Sequence, residues 1–130
     1  MEYCIKTIDH KDQRYETCGD FWVDDHGVRQ IRVSSLQNDD YHFLIMLHEM
    51  IEQYISERDG VTEQQITDFD LYYEKRREMG LVAEGSEPGF DTNAPYRKYH
   101  TISTGVELIL AAQLGVDWNE YDRTVNSLSQ

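Results

Sequence analysis

Apolar and polar positions along this chain follow two different periods, and the change from one to the other divides it. Tyr3-Cys4-Ile5-Lys6-Thr7-Ile8 is rich in β-branched and aromatic side chains. Asp20-Phe21-Trp22-Val23 and Val28-Arg29-Gln30-Ile31-Arg32-Val33 alternate on either side of Asp24-Asp25-His26-Gly27. This predicts a strand followed by a β-hairpin, with His26 at the turn as an ordinary polar turn residue. From Asp39 the period lengthens to about 3.6. Asn38 or Asp39 caps a first helix with a buried stripe of Leu44, Leu47, Ile51, Tyr54 and Ile55, ending before Asp59-Gly60. Thr62-Glu63-Gln64-Gln65 is a capping-box pattern opening a second helix, which stops at Gly80 and buries Ile66, Phe69 and Tyr73. Glu84 to Ala94 has Gly, Pro and small polar residues without period and reads as a loop, long enough to be a lid. A third helix, with Pro95 in its first turn and Gly115 at its end, is expected to bury Ile102, Val106, Ile109 and Leu110. Asp117, with Glu120 three residues on, caps a short final helix carrying Trp118, Tyr121 and Val125. The expected fold is α+β: one domain over residues 1–130, with an N-terminal β-hairpin or small antiparallel sheet, three main helices and a short C-terminal helix.

The 130 residues match the usual size of one domain. The formal charge is −13, from 25 acidic against 12 basic side chains, with no contiguous Lys/Arg stripe, so direct nucleic-acid binding is not expected. The charge fits solubility, cation binding, or imitation of nucleic acid toward a basic partner. No apolar run exceeds five residues, so no membrane span is expected. Met1-Glu2-Tyr3-Cys4 lacks the basic and apolar regions of a signal peptide, and a cytoplasmic location is expected. There Cys4 and Cys18 are free thiols. The sequence sets no oligomeric state.

Candidate chemistry concentrates in Leu47-His48-Glu49-Met50-Ile51-Glu52. A spacing of four stacks His48 and Glu52 on one helix face, about one turn apart, where both can reach one ion. Leu44, Ile45 and Ile55 extend that row, so the pair borders the apolar stripe, where unpaired charge is costly. A divalent ion would meet that need, and so would a hydrogen-bonded ion pair. A third ligand has to come from elsewhere: His100 and Glu107, seven apart on the third helix, share a face. His100 would complete a two-histidine, one-carboxylate set with an open position. Glu107 is the alternative third ligand, or an acceptor holding the His100 imidazole. His10 and His42 have no such company, and His42 reads as surface. The four residues also fit a buried polar network without metal, or a once-catalytic site that has lost its ion.

A hairpin ending in Ile31-Arg32-Val33-Ser34-Ser35, then a helix bearing His48-Glu49, resembles the core of the zincin-like metallopeptidases, where an edge strand lies beside a helix carrying H-E-x-x-H. The resemblance covers about residues 20–57, roughly a third of the chain. It implies that His48 is a zinc ligand and Glu49 the general base that activates water. Glu52 stands where the family has its second histidine, and a carboxylate there can move metal preference from zinc toward iron or manganese. The chain is also similar to small phage-encoded proteins with a His-Glu-x-x-Glu helix and a later Leu-Gly-Val-Asp-Trp segment, here Leu114 to Trp118, which would place it in a host cytoplasm.

The leading expectation is therefore a metal-dependent hydrolase acting on a peptide or protein, with Ile31 to Ser34 as the edge that aligns an extended substrate. One alternative is a magnesium-dependent nucleotide pyrophosphohydrolase, since Glu49 and Glu52 with Asp68, Asp70 and Glu74 resemble its carboxylate clusters, although the β-rich first third does not suit that all-α fold. The other is a non-enzymatic acidic protein that binds and blocks a host factor through a face built on Glu63, Asp68, Asp70, Glu74 and Glu78.

Overall fold

The computed structural model describes residues 1–128. Strands β1 (Tyr3–Ile8), β2 (Gly19–Val23) and β3 (Arg29–Ser34) form one sheet in the order β1-β3-β2. β2 and β3 are the expected antiparallel hairpin, with Phe21 opposite Ile31. Gly27 in its turn has φ +78°, a backbone that glycine adopts at no steric cost. β1 pairs parallel to β3, from Tyr3 opposite Arg29 to Ile8 opposite Ser34. The sheet is thus mixed and not purely antiparallel. A β-rich run predicts that a strand forms, but its direction is decided by the path of the connection that follows.

This topology corrects one expectation that bears on function. β3 is the central strand, paired on both sides, so Ile31 to Ser34 offers no edge to a peptide. The edges are β1 and β2. The hairpin turns β3 back into the middle of the sheet, an outcome that alternation along one strand does not encode.

Helices α1 (Asp39–Arg58), α2 (Glu63–Glu78), α3 (Arg97–Leu114) and α4 (Trp118–Ser127) follow, with short 3-10 turns at His10–Asp12 and Pro88–Phe90. The local start and stop signals act as their chemistry predicts. Asn38 accepts from the Tyr41 N–H, Thr62 and Gln65 form the reciprocal capping box, and Asp117 accepts from the Glu120 N–H at 2.9 Å. Gly115 closes α3 in the left-handed conformation, φ +72°. α3 itself begins at Arg97, two residues after Pro95, because the Arg97 N–H first closes a turn onto the Ala94 carbonyl.

α1 packs on β2 and β3 with one face and on α3 with another. Ile31, Val33 and Leu44 are completely enclosed, with Ile45, Phe21 and Tyr41 around them. Along α1 the enclosed row includes Leu44, Ile45, His48, Glu52, Gln53 and Ser56, while Tyr54, expected inside, is exposed. α3 departs further. Its enclosed row is Tyr99, Ser103, Glu107 and Ala111. Ile102 and Ile109, expected in the core, are 42% and 71% exposed, and Val106 and Leu110 are half-buried. The helix presents its polar row to the polar row of α1, a choice that counting apolar residues cannot anticipate. α4 lays Tyr121 against Tyr41, ring centroids 5.0 Å apart.

Two histidines set aside as isolated have structural work. The Leu36 N–H donates to His42 Nε2 at 2.9 Å, tying the linker to the start of α1. His10 bridges Ser34 Oγ (2.9 Å) and Glu16 (2.8 Å), fastening the 9–18 connection to β3. Cys4 and Cys18 are free. Among the described residues no helix is long and apolar enough to cross a membrane.

The orientation of α3 yields a direct test. Ile31→Ala should cost about 2–5 kcal/mol in urea unfolding, as large-to-small changes in a closed core do. Ile109→Ala should stay within about 0.5 kcal/mol of wild type. Comparable losses at the two sites would contradict the exposed placement of Ile109.

Candidate metal centre

α1 and α3 run antiparallel, so His100 in the first turn of α3 meets Glu52, while Glu107, two turns later, meets His48. Three atoms converge. His48 Nε2 and Glu52 Oε2 are 2.7 Å apart, His100 Nδ1 and the same Glu52 oxygen 2.7 Å, and the two ring nitrogens 3.0 Å. These three side chains can hold one metal ion. A zinc-type ion takes nitrogen and oxygen at about 2.0–2.2 Å, so a tetrahedral set would require the three atoms to spread by roughly half an ångström.

The far side of each ring is occupied as well. His48 Nδ1 bonds Glu107 Oε1, and Tyr121 donates its hydroxyl to Glu107 Oε2 at 2.7 Å. His100 Nε2 lies 2.9 Å from Glu87 Oε2. Of the two third-ligand candidates, His100 is therefore at the shared point. Glu107 stands behind the ring of His48, not of His100, where it fixes which nitrogen faces inward.

Electrostatics follow from this crowding. Burial opposes charge on His48, but Glu52 and Glu107 outweigh it and hold the imidazole well above its ordinary pKa. For His100 burial is likewise overcome, by hydrogen bonds to Glu52 and Glu87, and the pKa rises to about 9. Burial would raise Glu52, yet His48 and His100 draw it down to about 2. Without an ion, the His100 contacts stabilise the fold below its ordinary pKa of 6.5 and are lost as pH rises through about 9. Those of Glu52 stabilise above its ordinary 4.5 and are lost as pH falls through about 2. An incoming cation has to displace these protons.

Glu49, one position along from His48, points to β2. A Cβ on Gly19 would lie 2.7 Å from its Oε1, so the glycine is what admits the carboxylate. Burial first, and then the charge of Glu52, raise the Glu49 pKa well above the carboxylate range. Among the described residues no hydrogen-bond donor reaches it. This is the condition of a group able to take a proton.

A cavity of about 210 Å³ opens onto His48, Glu49, Glu52 and His100, bounded on one side by Gly19 to Phe21 and on another by Ser86 to Gly89. Its size suits one substrate side chain better than a whole drug-sized ligand, whose sites run to about 300–1,000 Å³. Ten carboxylates and a single arginine, Arg77, line it. Asp70, expected on a solvated acidic face, is instead turned toward this cavity and accepts from the hydroxyls of Tyr96 and Tyr15, the latter at 3.0 Å. Glu63 and Glu74 line it too, while Asp68 and Glu78 are exposed. Sequence reasoning missed Glu87, which sits in an aperiodic loop, and the polar role of Tyr121, whose spacing marks only a core position.

Asp70 provides a pH test. Burial pushes its pKa up to about 7, against the opposing tyrosine hydrogen bonds. Between the ordinary 3.8 and about 7 the folded state holds a proton that the unfolded state has lost, so this group lowers stability as pH rises through that window. Asp70→Asn removes the titration and can still meet both hydroxyls. The stability of Asp70→Asn relative to wild type, from urea unfolding, should therefore increase from about pH 4 to about pH 7. A flat difference would mean that Asp70 titrates normally.

Comparison with protein-family models, with curated proteins and with solved structures found no match, so the chemistry of this centre is argued from its own residues.

Proposed function

We propose that the protein is a metal-dependent hydrolase of the zincin-like kind, binding one divalent ion, with zinc expected first and iron or manganese as alternatives, through His48, Glu52 and His100. One observation carries this reading: two imidazole nitrogens and a carboxylate oxygen converge while the other nitrogen of each imidazole is held by a further carboxylate. A plain ion pair needs no such second partner. Orientation of a metal-binding imidazole does.

When bound, the ion supplies Lewis acidity and lowers the pKa of a coordinated water. Glu49, beside His48 and lining the same cavity, would be the base that accepts a proton from the attacking water and returns it to the leaving group. The substrate is a peptide or protein whose scissile bond reaches the cavity bordered by β2, an edge strand of the sheet. Alternate β2 groups face away from β3: Gly19 O accepts from Thr17, Phe21 O from Arg14, and Val23 N–H donates to Glu63. These outer carbonyls are thus already taken and Gly19 to Phe21 are buried, so a substrate would meet the mouth of the cavity and not the β2 backbone. A nucleoside triphosphate suits the cavity poorly, because carboxylates outnumber its one arginine ten to one.

Elemental analysis of the protein purified without added metal should find about one zinc or iron per chain, and binding should strengthen as pH rises because protons are released. His48→Ala, Glu52→Ala and His100→Ala should each lower affinity by orders of magnitude. Glu107→Gln should cost about 10–100-fold. Glu49→Gln should keep the ion and lose turnover. A chain that neither carries metal nor gains thermal stability with any divalent ion overturns this reading, in favour of an acidic protein that acts by binding a partner.

A further inference from the structure

Both nitrogens of an imidazole can bind a metal, and the ring's terminal torsion is broad and roughly two-fold, so the nitrogen presented is set by whatever holds the other one. For His48 that is Glu107, fixed on a packed helix. For His100 it is a short strap, Glu87-Pro88-Gly89-Phe90, which grips the ring at three places. Glu87 Oε2 meets Nε2 at 2.9 Å, and the Phe90 ring packs edge-on with centroids 4.5 Å apart. The Gly89 backbone lies so close to the ring that a Cβ there would overlap Cγ, Nδ1 and Cδ2. Gly89 has no left-handed φ, so clearance and not backbone conformation is what calls for glycine. The strap is anchored beyond the ring, since Arg77 donates to the Ser86 carbonyl at 2.6 Å and Tyr73 shares a hydrogen bond with Ser86 Oγ.

We propose that Glu87 is a positioning residue of the centre: on a strap that Gly89 allows to lie flat on His100, it holds Nε2 and dedicates Nδ1 to the ion. The proposal rests on the metal-site reading. Ion and strap would occupy opposite nitrogens of one ring, so whatever the strap adds to the hold on the ion, the ion adds equally to the hold of the strap. The Glu87 side chain is 43% exposed, so removing it opens no void in the core.

The test uses the intact chain with cobalt(II) as probe, affinity being read from its visible absorption. Glu87→Ala should bind about 10–100-fold more weakly than wild type while still unfolding cooperatively. Glu87→Gln, which keeps an acceptor without the charge, should fall between them. Gly89→Ala should weaken binding at least as much as Glu87→Ala. In the zinc-loaded protein, side-chain ¹⁵N shifts of His100 should place the ion on Nδ1 and the proton on Nε2 in wild type, and that preference should vanish in Glu87→Ala. A wild-type chain that binds cobalt no better than Glu87→Ala, with the His100 tautomer unchanged, overturns this proposal and leaves the metal reading standing. A wild-type chain that takes up no cobalt at all overturns both.

Discussion

The antiparallel packing of α1 on α3 encloses His48, Glu52, His100 and Glu107 between two helices, and a buried ionisable group without a partner is costly. Much of the rest of the structure can be understood as meeting that cost. α4 brings Tyr121 to Glu107, the 86–90 strap brings Glu87 to His100, and α3 turns its polar row inward although its apolar residues are then left partly in solvent. A fully satisfied buried network is rigid, and a half-satisfied one is worse than an apolar core. The need to complete this one explains why residues from α1, the strap, α3 and α4 meet at one place.

Space around the network is made by omission as much as by contact. Gly19 lets Glu49 lie against β2, and Gly89 lets the strap lie against His100. Either Cβ would displace a side chain of the centre. The remaining wall is acidic, with Asp70 held by two tyrosines on the α2 side. A surplus of carboxylates around a small enclosed volume favours a cation there and repels anions. The overall charge of −13 has in this cavity a local expression that composition does not reveal.

Local chemistry was legible from the sequence wherever a few adjacent residues suffice to decide it. The hairpin around Gly27, the Asn38 and Asp117 caps, the Thr62–Gln65 box and the Gly115 stop are each set by backbone groups seeking partners within about one turn. The four-residue spacing of His48 and Glu52 put both on one face for the same reason, and the seven-residue spacing of His100 and Glu107 did so on α3.

What the tertiary structure decided was how elements distant in sequence meet. β1 runs parallel to β3 and makes it central, so the strand beside the cavity is the edge strand β2. α3 is rotated to show Glu107 and Ser103, not Ile102 and Ile109, to the interior. Asp70 faces the cavity, and Glu107 serves His48 while Glu87 serves His100. Periodicity reports which residues share a face, but which face is buried depends on what the partner presents. Here the partner presented an imidazole and a carboxylate, and satisfying them outweighed the burial of two isoleucines.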